Sequence, residues 1–177
     1  MTVLDQLAEV DTELDYRLVG TSAALLQGVP LAAGDVDILL ARRPDVDTIA
    51  AALAPFPCRT APVWLPDSSQ YFARYAVDDV DIEISTVEGP TEAETAECTG
   101  AGPWRHYVLV PCGTHRVPAV RLELRLVSEL VRNRPDRAAA LTTHLRTHGA
   151  DLGLLQQAMT DRGLAPDQQR RVLDGLN

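Results

Sequence analysis

The chain has 177 residues, of which 46% are hydrophobic and 23% charged, enough for one packed domain and too apolar for a disordered chain. A net charge of −9 argues against gripping duplex DNA by its phosphates, a task that needs a basic face. No run approaches the ~20 apolar residues of a membrane span, so neither duplex DNA nor a membrane is an expected partner.

The opening residues, Met1 to Asp11, carry acids rather than a basic flank before an apolar run. They are unlike a signal peptide, and a cytoplasmic location is the expectation. Cys58, Cys98 and Cys112 are scattered without CxxC spacing and are expected to be free thiols. The sequence contains no lysine, so any phosphate contact from a long basic side chain must come from arginine.

In chain order, residues 3–14 place Val3, Leu4, Leu7, Val10 and Leu14 near helical spacing and predict an amphipathic helix. Residues 16–19 read as a short strand ending at Gly20, and 21–26 as a helix that Thr21 or Ser22 can cap. Gly28, Pro30 and Gly34 break the chain before a second strand at 36–41. A helix over 45–53 follows, closed by Pro55 and Pro57. Residues 71–77 and 80–87 alternate as a hairpin around Asp78-Asp79, whose turn type stays open because no glycine is present. Residues 88–103, rich in Glu, Thr, Ala and Gly, read as a loop. Residues 104–110 and 115–120 are expected to pair around Cys112-Gly113. Helices follow over 121–133, 135–148, 151–161 and 166–176, with Pro135 and Pro166 in first turns. The expected organisation is an α/β core over 1–120 with a helical region over 121–177 packed on it.

The chemistry concentrates in residues 16–40. Along a strand, Asp35 and Asp37 point to one face and Val36 and Ile38 to the other. Two carboxylates about 7 Å apart on one face repel unless a cation lies between them. Hard oxygen ligands that leave positions for water and phosphate suit Mg²⁺. The Gly20 turn brings a helix N-terminus nearby, with the Thr21 and Ser22 hydroxyls, and glycine lets a phosphate approach the backbone closely. A later strand offers a third acid, Asp81 or Glu83, which could complete the site and take an acceptor's proton. Between these two the choice is close and leans to Asp81.

Val19-Gly20-Thr21-Ser22, then Asp35-x-Asp37, then an acid on a later strand, resembles the DNA polymerase beta-like nucleotidyltransferase superfamily. Val19 to Leu25, with the stretch 115–133, is similar to the abortive-infection type toxin branch and its relatives. The resemblance implies an α/β (α+β) nucleotidyltransferase fold with a mixed, mostly antiparallel sheet flanked by helices. It implies an enzyme that moves a nucleoside monophosphate from an NTP such as ATP to a hydroxyl of a small molecule, a tRNA or a protein. Gly20, Thr21 and Ser22 would hold the triphosphate, Asp35, Asp37 and Asp81 the metal, and Asp81 or Glu83 the third catalytic position. Thr21 stands where the superfamily prefers Gly or Ser, and Arg134-Pro135-Asp136-Arg137 stands where the toxin branch has a Lys-Asp pair. The competing expectation is the same fold without the reaction, acting as a binding or toxin–antitoxin regulatory module.

Arg121, Arg125 and Arg132 share one helical face and could reach a phosphate. A solvated face paired with Glu123, Glu129 and Asp136 is the bland alternative. His144 and His148 stand at i, i+4 without a third ligand in view and read as a surface pair.

Overall fold

The computed structural model describes residues 14–89 and 96–176, so the helix expected at 3–14 lies outside the described residues apart from Leu14. Among the described residues seven strands form one sheet: β1 (Tyr16–Val19), β2 (Asp35–Leu40), β3 (Cys58–Leu65), β4 (Gln70–Val77), β5 (Val80–Ser85), β6 (Tyr107–Cys112) and β7 (His115–Val120). Their spatial order is β3-β4-β5-β2-β1-β7-β6. Pairs β2–β5 and β1–β7 are parallel and the other four antiparallel. The sheet is therefore mixed and mostly antiparallel, as the sequence led us to expect.

Seven helices accompany it among the described residues: α1 (Gly20–Leu26), α2 (Arg43–Ala52), the single turn α3 (Gly102–Arg105), α4 (Leu122–Val131), α5 (Pro135–His148), α6 (Leu152–Asp161) and α7 (Pro166–Asp174). Strand alternation explains the layering. Ile38, Leu40, Ile82 and Ile84 face α2 and pack on its Val46 and Ile49 and on Leu53 just beyond it. Leu39, Val19 and Val120 face the other way, into a larger core built by α4 to α7 around Leu126, Leu141, Leu155 and Met159. Helix α4 is buried from Leu122 to Glu129, polar residues included. Its acids and arginine must therefore find partners inside the protein.

Several local expectations change. β3 was not foreseen, because Pro62 sits mid-strand and much of the strand is exposed, which blurs the alternation. Proline is tolerated there because β3 is an edge strand, and its pairing to β4 carries register shifts. Trp104 lies in α3 rather than opening a strand, and β6 starts at Tyr107. Asp78 and Asp79 adopt φ of 50° and 65°, which makes the hairpin connection a type I′ turn. The three cysteines are free. No helix among the described residues is long and apolar enough to cross a membrane.

Candidate active site

β1 runs directly into α1 at Gly20, which has a φ of +72°. A Cβ at this position would stand 1.9 Å from Asp37 Oδ2. Only glycine permits both the left-handed turn and the close approach of the carboxylate, so this one residue seats β2's second acid against the start of α1.

The register decides which acids meet. In the parallel β2–β5 pair, Asp35 stands opposite Asp81 and Asp37 opposite Glu83. Across the next pair Arg74 stands opposite Glu83. Asp37, Glu83 and Arg74 therefore form a row over adjacent strands, with spacings of about 5 Å. Arg74 ion-pairs with Glu83 and lies 3.9 Å from Asp81, which Arg59 also approaches at 3.9 Å. Above the row opens a cavity of about 270 Å³ lined by Gly20, Asp37, Glu83, Glu97, Arg125 and Arg132, with Leu39, Phe72 and Val87 as its apolar wall. Asp81 is not among its lining residues. Asp35 and Ser22 line a different, largely apolar cavity of about 540 Å³, with Val36 and Ile82.

Asp37 is electrostatically crowded. Burial foremost, then the Asp35, Glu83 and Glu97 carboxylates, push its pKa up to about 7, with only Arg125 pulling it down. Glu83 is also raised, by burial first and against the opposing pull of Arg74. Folded Asp37 thus keeps its proton to about pH 7, whereas an unfolded aspartate releases it near ~3.9. Metal-free protein is therefore expected to lose stability as pH rises through that window, with the full cost present above it. Asp37→Asn, which stays neutral, should be more stable than wild type by about 1–2 kcal/mol at pH 8 and equal to it near pH 4. Urea denaturation at pH 4, 6 and 8 checks this; a pH-independent difference would remove the crowding.

The glycine corner is engaged by the chain itself. The Gly20 N–H donates to Glu97 Oε2 at 3.3 Å. The Thr21 hydroxyl accepts from Arg125 at 3.2 Å and from Arg137 at 2.9 Å. The Ser22 hydroxyl donates to the Val19 carbonyl at 3.2 Å. Arg125 ion-pairs with both Glu97 and Glu129, and Glu129 is approached by Arg137 at 3.8 Å and Arg134 at 3.9 Å. Arg125 Nε and Glu129 Oε2 are buried without a hydrogen bond.

The three arginines of the helical face are separated by this arrangement. Arg125 is buried inside the site, Arg132 lines the cavity, and Arg121 turns to Glu123 and Asp151. A solvated face fails for Arg125 because α4 is covered by α5, α6 and the sheet. Glu97 was invisible to sequence reasoning, since it lies in a stretch whose composition reads as loop. Arg125 and Glu129, at i, i+4, carried the one available hint. His144 and His148 stack with centroids 4.0 Å apart. Among the described residues no group of three or more His, Cys, Asp or Glu is arranged to hold a metal ion on its own.

No protein-family model matches the chain, and no curated protein matches it. Solved structures do. TM1012 from Thermotoga maritima, described as a "putative nucleotidyltransferase", is 18% identical over 82% of this chain and 89% of that one, with a TM-score of 0.56. JHP933 from Helicobacter pylori is 16% identical over 96% of this chain and 75% of that one, with a TM-score of 0.47, too loose to argue from. At such identity the first likeness speaks to architecture alone. The chain has a mixed α/β, nucleotidyltransferase-like fold.

Proposed function

We propose that this protein is a Mg²⁺-dependent nucleotidyltransferase that moves a nucleoside monophosphate from an NTP, such as ATP, to a hydroxyl of a small-molecule, tRNA or protein acceptor. The observation that carries this reading is the convergence of Asp37, opposite Glu83 and beside Asp35, on a glycine corner with no room for a side chain. The donor set suits a hard divalent cation: Asp35 lies near enough to Asp37 to raise its pKa, and Asp37 holds its proton abnormally tightly when no cation relieves the crowding. Bound there, Mg²⁺ would neutralise charge building up on the phosphate oxygens.

Asp35 and Asp37 are assigned to hold the ion, and Glu83, rather than the Arg59- and Arg74-flanked Asp81, is assigned the third position. Glu83's raised pKa equips it to take the acceptor hydroxyl's proton. The acceptor oxygen then forms its bond to the α-phosphorus as the bond to the bridging oxygen breaks, and pyrophosphate leaves. The backbone at Gly20 would receive the phosphates, with Arg125 and Arg132 as the cations in reach, and the Thr21 hydroxyl would orient Arg125. Ser22 supports the turn through Val19.

The test is incubation with each labelled NTP, Mg²⁺ and pooled acceptors (tRNA, cell protein and small hydroxylated compounds). A labelled product that depends on Mg²⁺ is expected, and its absence with every NTP counts against the reading. One observation favours a second reading, the fold as a non-catalytic regulatory module: Gly20 and Thr21 already have partners within the chain. Calorimetry separates the two, because nucleotide binding that survives loss of both Asp35 and Asp37 carboxylates belongs to the second.

A further inference from the structure

Glu97 occupies a place built for an anion. Its carboxylate takes the Gly20 N–H at 3.3 Å and the Arg125 guanidinium, and it is 1% exposed. Yet it lines the cavity that also holds Asp37, Glu83 and Arg132. A buried carboxylate beside other carboxylates is costly unless donors and cations are arranged around it. The segment that carries it is anchored: the Glu97 N–H donates to Ser128 Oγ at 3.4 Å, and Ala96 is buried in the larger core. The side chain is thus presented to the glycine corner rather than left to wander there. Arg132 lines the same space, crowded by Arg134 and Arg125.

We propose that Glu97 is an internal stand-in for a phosphate group, filling the phosphate subsite until a nucleotide's phosphate takes the Gly20 N–H and Arg125 from it. The inference rests on the nucleotide-binding reading above and adds its regulation: binding is an exchange of one anion for another. The cavity, at about 270 Å³, is small beside the roughly 300–1,000 Å³ of small-molecule sites, and the Glu97 carboxylate takes the Gly20 N–H and the Arg125 guanidinium on its wall. Glu97→Gln keeps the size and an acceptor oxygen but removes the charge that competes with phosphate. Arg125 is then left with Glu129 as its acid partner and is free to take an incoming anion.

Sodium tripolyphosphate, titrated calorimetrically without Mg²⁺, reads this subsite independently of base, acceptor and transfer. Glu97→Gln is expected to bind it about ten- to a hundredfold more tightly than wild type, the scale of losing one charge-assisted competitor. Arg132→Ala should weaken binding in both backgrounds. Equal or weaker binding by a Glu97→Gln protein with wild-type circular dichroism overturns the proposal. Wild type supplies a second readout should that variant not fold: saturating tripolyphosphate should shift the Gly20 amide resonance, and an unmoved resonance overturns the proposal as well. Failure to find any transfer product would sink the enzymatic reading while leaving this exchange measurable.

Discussion

Asp37→Ala is expected to lower the rate of nucleotidyl transfer by about 10³-fold or more, because it removes the acid on which the site's contacts converge. Asp37 lies against Gly20, opposite Glu83, and within the electrostatic reach of Asp35, Glu97 and Arg125. The register makes a graded series out of the remaining acids. Glu83→Ala should cost about 10²-fold, the loss of a general base. Asp81→Ala should cost less than about tenfold, since Asp81 stands one step along the strand between Arg59 and Arg74 and acts through general electrostatics alone. Initial rates at saturating Mg²⁺ with the acceptor found by screening give the order. Equal losses at Glu83 and Asp81 would withdraw the assignment of the third position.

Gly20→Ala is expected to destabilise the protein by about 2–4 kcal/mol, combining a strained φ with a collision. Alanine at a φ of +72° costs about 1 kcal/mol on its own. The remainder comes from the 1.9 Å approach of the new Cβ to Asp37 Oδ2, which forces the carboxylate out of its seat and with it any ion it holds. A double-mutant cycle isolates the second part. In an Asp37→Ala background the same glycine substitution should cost about 1–2 kcal/mol, the conformational share plus what is left by a 3.2 Å approach to the Cβ of position 37. Urea denaturation of the four proteins gives the coupling, and an equal cost in both backgrounds would mean that glycine is present for the turn alone.

Much of this geometry was legible in the residues. Asp35 and Asp37 alternate with Val36 and Ile38, a spacing that brings Asp35 near enough to raise the Asp37 pKa, although Asp35 lines the neighbouring apolar cavity and not that of Asp37. The glycine corner was legible because a strand, a glycine and a helix start follow one another without a spacer. The partner of Asp37 was not. Asp81 and Glu83 lie on the same face of their strand, and only the register of the β2–β5 pair, a long-range property, makes Glu83 the neighbour. β3 escaped because a proline and solvent exposure erase the alternation at a sheet edge. Glu97 escaped for a different reason. Its burial depends on Gly20 and on Arg125, residues distant in sequence, and nothing in the Glu- and Thr-rich stretch around it announces a buried side chain.

The glycine corner has a consequence for how the protein is made. The corner joins partners 77 residues apart at Gly20 and Glu97, and 104 residues apart at Thr21 and Arg125. Contacts that span so much chain close late and slow the folding of the whole. As the polypeptide leaves the ribosome, its first acids emerge early but wait for α4 before they can become a pocket. A nascent or truncated product ending before residue 122 would carry Asp35, Asp37, Glu83 and Glu97 but neither Arg125 nor Glu129, so the pocket could not form around them.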